Sequence, residues 1–192
     1  MVRGYRWAAL AALSAGGLLL SQSQPQTPAP ARKRVLIWCD TQTGYQHDSI
    51  SHAMAVMERL GRDSGTYEAF LRTDSQWITK QPIPEPARNT HNLNYFDAIF
   101  YFGTGERLDD SQKRDLMSFV KEDGKGFVGA HTGDDAFFKW PEFGEMMGGY
   151  FDDHPWGQFD APVIVEDTKF SAMKPFPERF TIHDEIYQHK NF

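Results

Sequence analysis

A five-residue motif near the middle of the chain carries the clearest chemical signal. Residues 129–133 read G-A-H-T-G, which matches the G-x-nucleophile-x-G elbow that lifts one side chain above a sheet between a strand and a helix. The lifted residue here is His131. An imidazole in this place can act as a general base, donate a hydrogen bond or bind a metal ion. The plain alternative is an ordinary histidine at the end of a strand, with Gly129 and Gly133 serving turns.

Two further clusters place histidine beside carboxylates and aromatic residues. Residues 148–155 read G-G-Y-F-D-D-H-P and contain His154, and residues 183–187 read H-D-E-I-Y. A carboxylate beside an imidazole fixes its tautomer and favours proton transfer near neutral pH, so Asp184 or Glu185 is the expected partner of His131. Each cluster can also be interpreted as a loop histidine or a solvated acidic turn.

Short apolar strands must position these side chains. The runs 35–39, 97–102 and 126–130 are almost continuously apolar, which is typical of strands that are covered on both faces in a parallel sheet. Each is followed by a polar or glycine-rich loop, at 40–47, 103–106 and 131–135. Since ligands sit beyond the carboxyl ends of such strands, these loops are expected to form one site.

The intervening segments predict a doubly wound, flavodoxin-like α/β fold. Apolar residues from Ile50 to Leu60 recur at helical spacing and Gly61 is the expected end of that helix, while Asp109 or Asp110 is expected to begin a second helix. Further strands are predicted at 67–71 and at 159–165, the latter antiparallel or inserted. Residues 79–94, with three prolines, predict a long surface loop.

The N-terminal segment predicts an exported protein. Arg3 and Arg6 precede an apolar stretch and small residues, which is typical of a signal peptide over 1–23, followed by a linker over 24–31 and a domain over 32–192. We therefore expect a periplasmic or extracellular location, with no stable membrane span after cleavage. One cysteine, Cys39, excludes an intrachain disulfide, and a net charge of −6 argues against nucleic acid as a partner.

The order and spacing of four motifs resemble the ThuA-like (trehalose utilisation) family. They are G-Y-Q-H-D, G-K-G-F-V-G-A-H, G-G-Y-F-D-D-H-P and D-E-I-Y. The resemblance implies a class I glutamine amidotransferase-like fold, a link to trehalose and other glycosides, and a further strand and helix beyond Phe192, so that the domain is expected to be truncated at its C-terminus. It places the family's polar residues at His47, His131, His154, Asp184, Glu185 and Tyr187, with Thr132 and Asp134 beside them.

Three functional hypotheses follow for this site, and none of them requires a nucleotide cofactor. The first is an enzyme that modifies a saccharide, namely a hydrolase, lyase or isomerase, with His131 as general acid or base. In this hypothesis sugar faces stack on aromatic residues such as Tyr187, Trp140 or Trp156, whereas Phe151 is expected in the core. The second, compatible with the first, is a zinc site with His47, His131 and His154 as ligands. The third is a non-catalytic carbohydrate- or partner-binding module. Glutamine amidotransferase activity is not expected, because an imidazole cannot form the required thioester.

Overall fold

The central element of the fold is a four-stranded parallel sheet. A computed structural model describes residues 31–42, 44–84 and 90–191. Its sheet contains β1 (Lys33–Trp38), β2 (Tyr67–Arg72), β3 (Ala98–Tyr101) and β4 (Gly126–Gly129), in the spatial order β2-β1-β3-β4. This order confirms the predicted doubly wound, flavodoxin-like α/β class. The predicted leader and, apart from Ala31, the predicted linker lie outside the described residues.

The central strands of the sheet are covered on both faces, which explains their apolar runs, whereas Val128 of β4 and Leu71 of β2 at the edges are 57% and 42% exposed. In β1, Leu36 and Trp38 contribute to one buried cluster, and Ile37 contributes to another on the opposite face. Successive side chains of a strand point to opposite faces, so a strand buried on both sides needs apolar residues at every position. The first cluster is the larger and includes Phe119 and Phe143 from the helices.

Among the described residues, three helices connect and cover the strands: α1 (Ser49–Ser64), α2 (Asp110–Lys121) and α3 (Pro141–Met147). The predicted start of α2 is confirmed, because Asp109 Oδ1 accepts a hydrogen bond from Gln112 N at 2.8 Å while Asp109 N donates to Gln112 Oε1 at 3.1 Å. These two reciprocal bonds form a capping box.

The predicted end of α1 is wrong by one turn. Gly61 lies inside the helix, where an added Cβ would meet the ring of Tyr67, and Gly65 ends the helix with a φ of 66°. Glycine therefore serves a close helix–strand approach at the first position and a left-handed cap at the second. Leu60, expected on the buried face, is half exposed.

The remaining strands form two antiparallel ribbons outside the main sheet. In the β5–β8 ribbon, β5 (Tyr150–Asp153) pairs with β8 (Gln188–Lys190), and in the β6–β7 ribbon, β6 (Gln158–Ile164) pairs with β7 (Arg179–Glu185). The strand predicted at 159–165 is thus confirmed as antiparallel, shifted by one residue. The β5–β8 pairing matters for the site, because it brings a segment near the end of the described chain back to the sheet edge.

Short 3-10 helices complete the described elements, at Leu93–Tyr95, His131–Asp134 and Ser171–Met173. The first lies in the predicted surface loop, yet its Leu93 is fully buried, so part of that loop closes the core. Within the described ranges, no helix combines the length and the apolar character needed to cross a membrane.

Candidate functional site

The turn after β4 holds His131 in an unusual backbone conformation. His131 has a φ of 50°, in the left-handed region that few residues other than glycine adopt, although asparagine, aspartate and histidine adopt it more often than the rest. A Cβ at Gly129 would meet the terminal Sδ and Cε atoms of Met147, so a larger residue at this motif position would require that flexible side chain to move. A strained residue held between a strand and a helical turn is the geometry of a nucleophile elbow, and such strain is concentrated at functional sites.

The sheet edge brings aromatic and imidazole rings from three other loops around His131. The ring centroids of His47 and His131 are 4.6 Å apart, and Tyr187 stacks on His131 at 5.1 Å. The hydroxyl of Tyr187 lies 3.4 Å from His131 Nε2. Tyr187 also stacks on His154, with centroids 5.8 Å apart. Residues that are distant in sequence therefore meet at the carboxyl ends of the strands, through the shared contacts of His131 and Tyr187.

A cavity of about 400 Å³ opens beside these rings. Its lining combines aromatic, imidazole and carboxylate side chains: Tyr45, His47, Thr132, Asp135, Phe151, His154, Glu185 and Tyr187. We name this the first cavity. Its volume lies within the range of about 300–1,000 Å³ that is usual for small-molecule sites.

Five of the residues that line the first cavity were predicted from the sequence: His47, Thr132, His154, Glu185 and Tyr187. The other three, Tyr45, Asp135 and Phe151, were missed. The expectation that Phe151 belongs to the core is wrong, since it is half-buried in the cavity wall and contacts Tyr187 at 4.6 Å. Asp135 could have been found, because it follows Asp134 in the same loop. Of the other aromatic residues considered, Trp140 is buried in the core and Trp156 is exposed outside the cavity lining.

The carboxylates expected to pair with His131 are arranged differently. Within the described part of the chain, neither Asp184 nor Glu185 forms a hydrogen bond with the His131 ring; Asp184 Oδ1 instead accepts from Glu185 N at 2.8 Å. Glu185 lines the first cavity, whereas Asp184 is exposed. Both carboxylates therefore influence His131 through charge alone.

Burial sets the protonation states around His131. Desolvation, and secondarily the charge of His47, lower the pKa of His131, against the opposing influence of Glu185, Asp184 and Asp134. Burial likewise raises the pKa of the Tyr187 hydroxyl, and nearby carboxylates add to this effect. At neutral pH the site therefore offers a neutral imidazole, which can accept a proton, beside a protonated phenol, which can donate a hydrogen bond.

Behind the elbow, Asp134 is hydrogen-bonded to a histidine that sequence reasoning missed. Asp134 Oδ2 lies 2.7 Å from His189 Nε2, and the Asp134 side chain is only 10% exposed. Desolvation raises the pKa of Asp134, although the charge of His189 opposes the rise. His189 belongs to β8, and only the pairing of β5 with β8 brings it here, so no local sequence signal marks it.

The comparisons with known proteins agree with this architecture. A family model described as ThuA, trehalose utilisation, matches residues 34–192. The chain belongs to the ThuA family. The crystal structure of a ThuA-like protein from Bacteroides uniformis ATCC 8492 is similar to it, with a TM-score of 0.67 and 20% identity, over 86% of this chain and 65% of that protein. The chain thus spans 65% of the length of that relative. No curated protein matches the chain.

As a ThuA-family protein, this chain carries its single cysteine away from the elbow. Cys39 lies directly after β1 and is fully buried. Burial raises the pKa of its thiol to about 12. A thiol in this state is a poor nucleophile at neutral pH.

Metal binding by this ThuA-family site stays a prediction. His47 and His131 are adjacent, and His47 Nδ1 is buried without a hydrogen-bond partner among the described residues, so these two imidazoles are the best available ligands. His154 instead contacts the ring of Tyr187. Among the residues that the structure describes, no group of three or more His, Cys, Asp or Glu side chains is arranged to hold a metal ion.

Proposed function

We propose that this ThuA-family protein modifies a saccharide in the first cavity, with His131 as the general base. The observation that carries the proposal is the strained His131, whose imidazole is kept neutral by burial beside a cavity of ligand size. Perturbed titratable groups next to a cleft mark functional sites. The description of the family, trehalose utilisation, supports a saccharide as the substrate.

The lining of the first cavity suits a sugar ring. Phe151 and Tyr187 offer apolar faces on one side, against which the C–H face of a sugar can pack. Thr132 Oγ1 is buried and has no hydrogen-bond partner within the described residues, and Glu185 contributes a carboxylate. Convergent polar groups within a partly aromatic pocket fix the orientation of a ligand and make it specific.

The proposed chemical step is a proton transfer at His131. Its neutral imidazole takes a proton from a substrate hydroxyl, from water or from a carbon next to a carbonyl, and the resulting imidazolium returns that proton to the product. Hydrolysis, elimination and isomerisation all begin in this way. The Tyr187 hydroxyl, 3.4 Å from His131 Nε2, orients the ring or donates a hydrogen bond to the developing negative charge.

The test compares the full chain with its His131→Asn variant on a panel of trehalose, α- and β-glucosides and their 3-keto derivatives, with products measured by mass spectrometry. Loss of a general base lowers turnover by about 10²–10⁴-fold, and we expect this loss with little change in KM. The matched control is His183→Asn, which alters an exposed histidine outside the cavity. Undiminished turnover by His131→Asn would overturn the proposal.

A binding experiment separates the enzyme from the alternative of a carbohydrate-binding module. Calorimetry with the same saccharides reports affinity regardless of chemistry. Affinity for a saccharide in the wild type, without turnover of any member of the panel, would favour the module. Turnover that disappears in His131→Asn while binding remains would support the enzyme.

A further inference from the structure

We propose that His189, held in place by Asp134, is a second proton-transfer residue that acts on the same substrate as His131. The inference rests on the function proposed above and adds a second imidazole to its machinery. In this scheme His189 is a catalytic residue and Asp134 is a positioning residue. The basis is the geometry of an Asp–His pair whose aspartate is buried, and of a cavity that both imidazoles line.

Asp134 is placed to orient His189. It closes the 3-10 turn that starts at His131, and its side chain is nine-tenths buried. The distance of 2.7 Å between Asp134 Oδ2 and His189 Nε2 is that of a charge-assisted hydrogen bond. A carboxylate in such contact with Nε2 fixes that nitrogen as one that carries a hydrogen and holds the ring in one orientation.

The strand pairing fixes where the His189 ring lies. In the β5–β8 ribbon, His189 is directly opposite Phe151, a wall residue of the first cavity. Tyr187, two residues before His189, stacks on His131, and the ring centroids of Tyr187 and His189 are 6.5 Å apart. A single segment of chain therefore connects the first cavity to His189.

A second cavity of about 310 Å³ joins the two imidazoles. The side chains of His131, Asp134 and His189 line it, together with Gly129, Gly148 and Gly149. Glycines leave the backbone open to a ligand. His131 thus borders the second cavity while it contacts rings of the first, and His189 lines the second cavity from β8. In this proposal the substrate extends from the first cavity into the second.

Two imidazoles in these positions can divide the work of acid and base. His131 removes a proton from one substrate atom, and protonated His189 delivers a proton to another substrate atom, such as a leaving or carbonyl oxygen. One proton is gained and one is lost by the substrate, so the step is balanced. Exchange with water then resets both rings. Pairs of titratable groups in different environments are how enzymes assign acid and base roles.

The chain offers a matched control for the Asp–His pair. In the β6–β7 ribbon, His183 Nδ1 lies 2.8 Å from Asp160 Oδ1, but these side chains are 66% and 77% exposed. Neither residue lines the first or the second cavity. Substitutions there remove the same kind of contact without touching the proposed machinery.

The experiment measures kcat, KM and the pH–rate profile of full-length His189→Gln and Asp134→Asn, with His183→Gln and Asp160→Asn as controls. The substrate is the member of the saccharide panel that the wild type turns over fastest. Loss of a general acid lowers kcat by about 10²-fold or more, and we expect this in His189→Gln, together with loss of one limb of the pH profile and little change in KM. For Asp134→Asn we expect a smaller fall in kcat and a changed His189 tautomer in ¹⁵N NMR spectra.

Chemical rescue separates a chemical role from a structural one. Added imidazole is expected to restore part of the activity of His189→Gly, and circular dichroism verifies that each variant is folded. The inference would be overturned if His189→Gln kept the wild-type kcat and both limbs of the pH–rate profile. It would also be overturned if Asp134→Asn kept the wild-type kcat and the wild-type His189 tautomer. If His131→Asn is inactive in the same assays, the proposed function still stands. Absence of saccharide turnover in the wild type would instead remove the proposed function and this role with it.

Discussion

The carboxyl edge of the parallel sheet and the β6–β7 ribbon each hold a histidine hydrogen-bonded to an aspartate. The two contacts are almost equal in length, 2.7 Å for His189–Asp134 and 2.8 Å for His183–Asp160, but the aspartate side chains are 10% and 77% exposed. Water screens the exposed pair and competes for its hydrogen bond, whereas the Asp134 carboxylate is shielded from water on its side of the contact, although the His189 ring is itself 38% exposed. Burial, and not residue type or distance, separates a candidate for chemistry from a surface contact.

The difference in burial has its origin in the packing beneath each region. Under the sheet edge, Phe137 and Phe143 contact one another at 4.8 Å, and the hydroxyl of Tyr150 donates to the backbone carbonyl of Trp140, with the carbonyl oxygen of Phe137 at 3.3 Å. The ribbon instead leaves Ile164 and Phe176 about half exposed. A rigid aromatic layer can hold a strained residue such as His131 in place, because close-packed interiors resist displacement.

Removal of one aromatic ring from each region gives the largest expected difference. Phe143 is fully buried, and truncation of a buried phenylalanine to alanine typically costs about 3–5 kcal/mol. For Phe176→Ala, in the segment that connects β6 to β7, the side chain is 49% exposed, and we expect a loss of stability below about 1 kcal/mol. Urea unfolding of the full chain, followed by circular dichroism, measures both. Equal losses would contradict the contrast between the two regions.

A methyl group added to one glycine of each region is the next test. At Gly144 the new Cβ would enter the ring of Tyr150, which is tied to the backbone through its hydroxyl, so we expect Gly144→Ala to cost about 1–3 kcal/mol. Gly157 lies in the turn between β5 and β6 with a φ of 61° and has no neighbour within 4 Å of an added Cβ. Gly157→Ala should cost only the backbone strain, about 1 kcal/mol. Thermal unfolding compares the two variants; a greater loss at Gly157 would contradict the steric argument.

The sheet could be predicted from the sequence because its physical signature is local. Strands covered on both faces are apolar where they are covered, as residues 35–38 of β1 and the whole of β3 are, and the loops that follow parallel strands must share one edge. These two rules were enough to bring His47 and His131 together. Gly61 shows the limit, because a glycine inside a helix and a glycine that ends one look alike until the neighbouring Tyr67 is placed.

The far side of the site depended on strand pairings that the sequence does not encode locally. On β7, neighbouring residues point to opposite sides, so only Glu185 of the two adjacent acids faces the first cavity. Which of them does so follows from the pairing with β6, and the position of His189 follows from the pairing of β8 with β5. Phe151 was expected in the core for the same reason, since an aromatic residue on a strand carries no mark of which wall it joins.

The pH dependence of stability distinguishes the two aspartates by a smaller effect. Burial raises the pKa of Asp134 above its ordinary value of 3.8, so the folded protein keeps a proton that the unfolded chain releases. This contribution to stability is complete below the unfolded pKa and is lost as the pH rises through the folded pKa. We therefore expect Asp134→Asn, which carries no charge, to gain stability relative to the wild type as the pH rises from about 3.5 to about 7.

The control for this prediction is Asp160→Asn in the β6–β7 ribbon. Because its pair is exposed, we expect its unfolding free energy to stay within about 0.5 kcal/mol of the wild type at both pH values. Denaturant unfolding at each pH gives the comparison. If the stability of Asp134→Asn relative to the wild type falls as the pH rises, this result would contradict the burial of Asp134. A gain in stability coupled to a loss of turnover would be the usual trade-off at a functional residue.

The smallest expected effect is the influence of the His47 charge on the pKa of His131. Burial is the main cause of the lowered His131 pKa, and the charge of His47, with ring centroids 4.6 Å away, is the second. His47→Gln removes only the second cause, so the pKa of His131 should rise toward 6.5 without reaching it. The C2 proton resonance of His131, followed by NMR as a function of pH, measures the change. His183→Gln, in the exposed pair of the ribbon, should leave that titration unmoved. A His131 pKa that falls or does not move in His47→Gln would mean that the two imidazoles do not sense one another across the sheet edge.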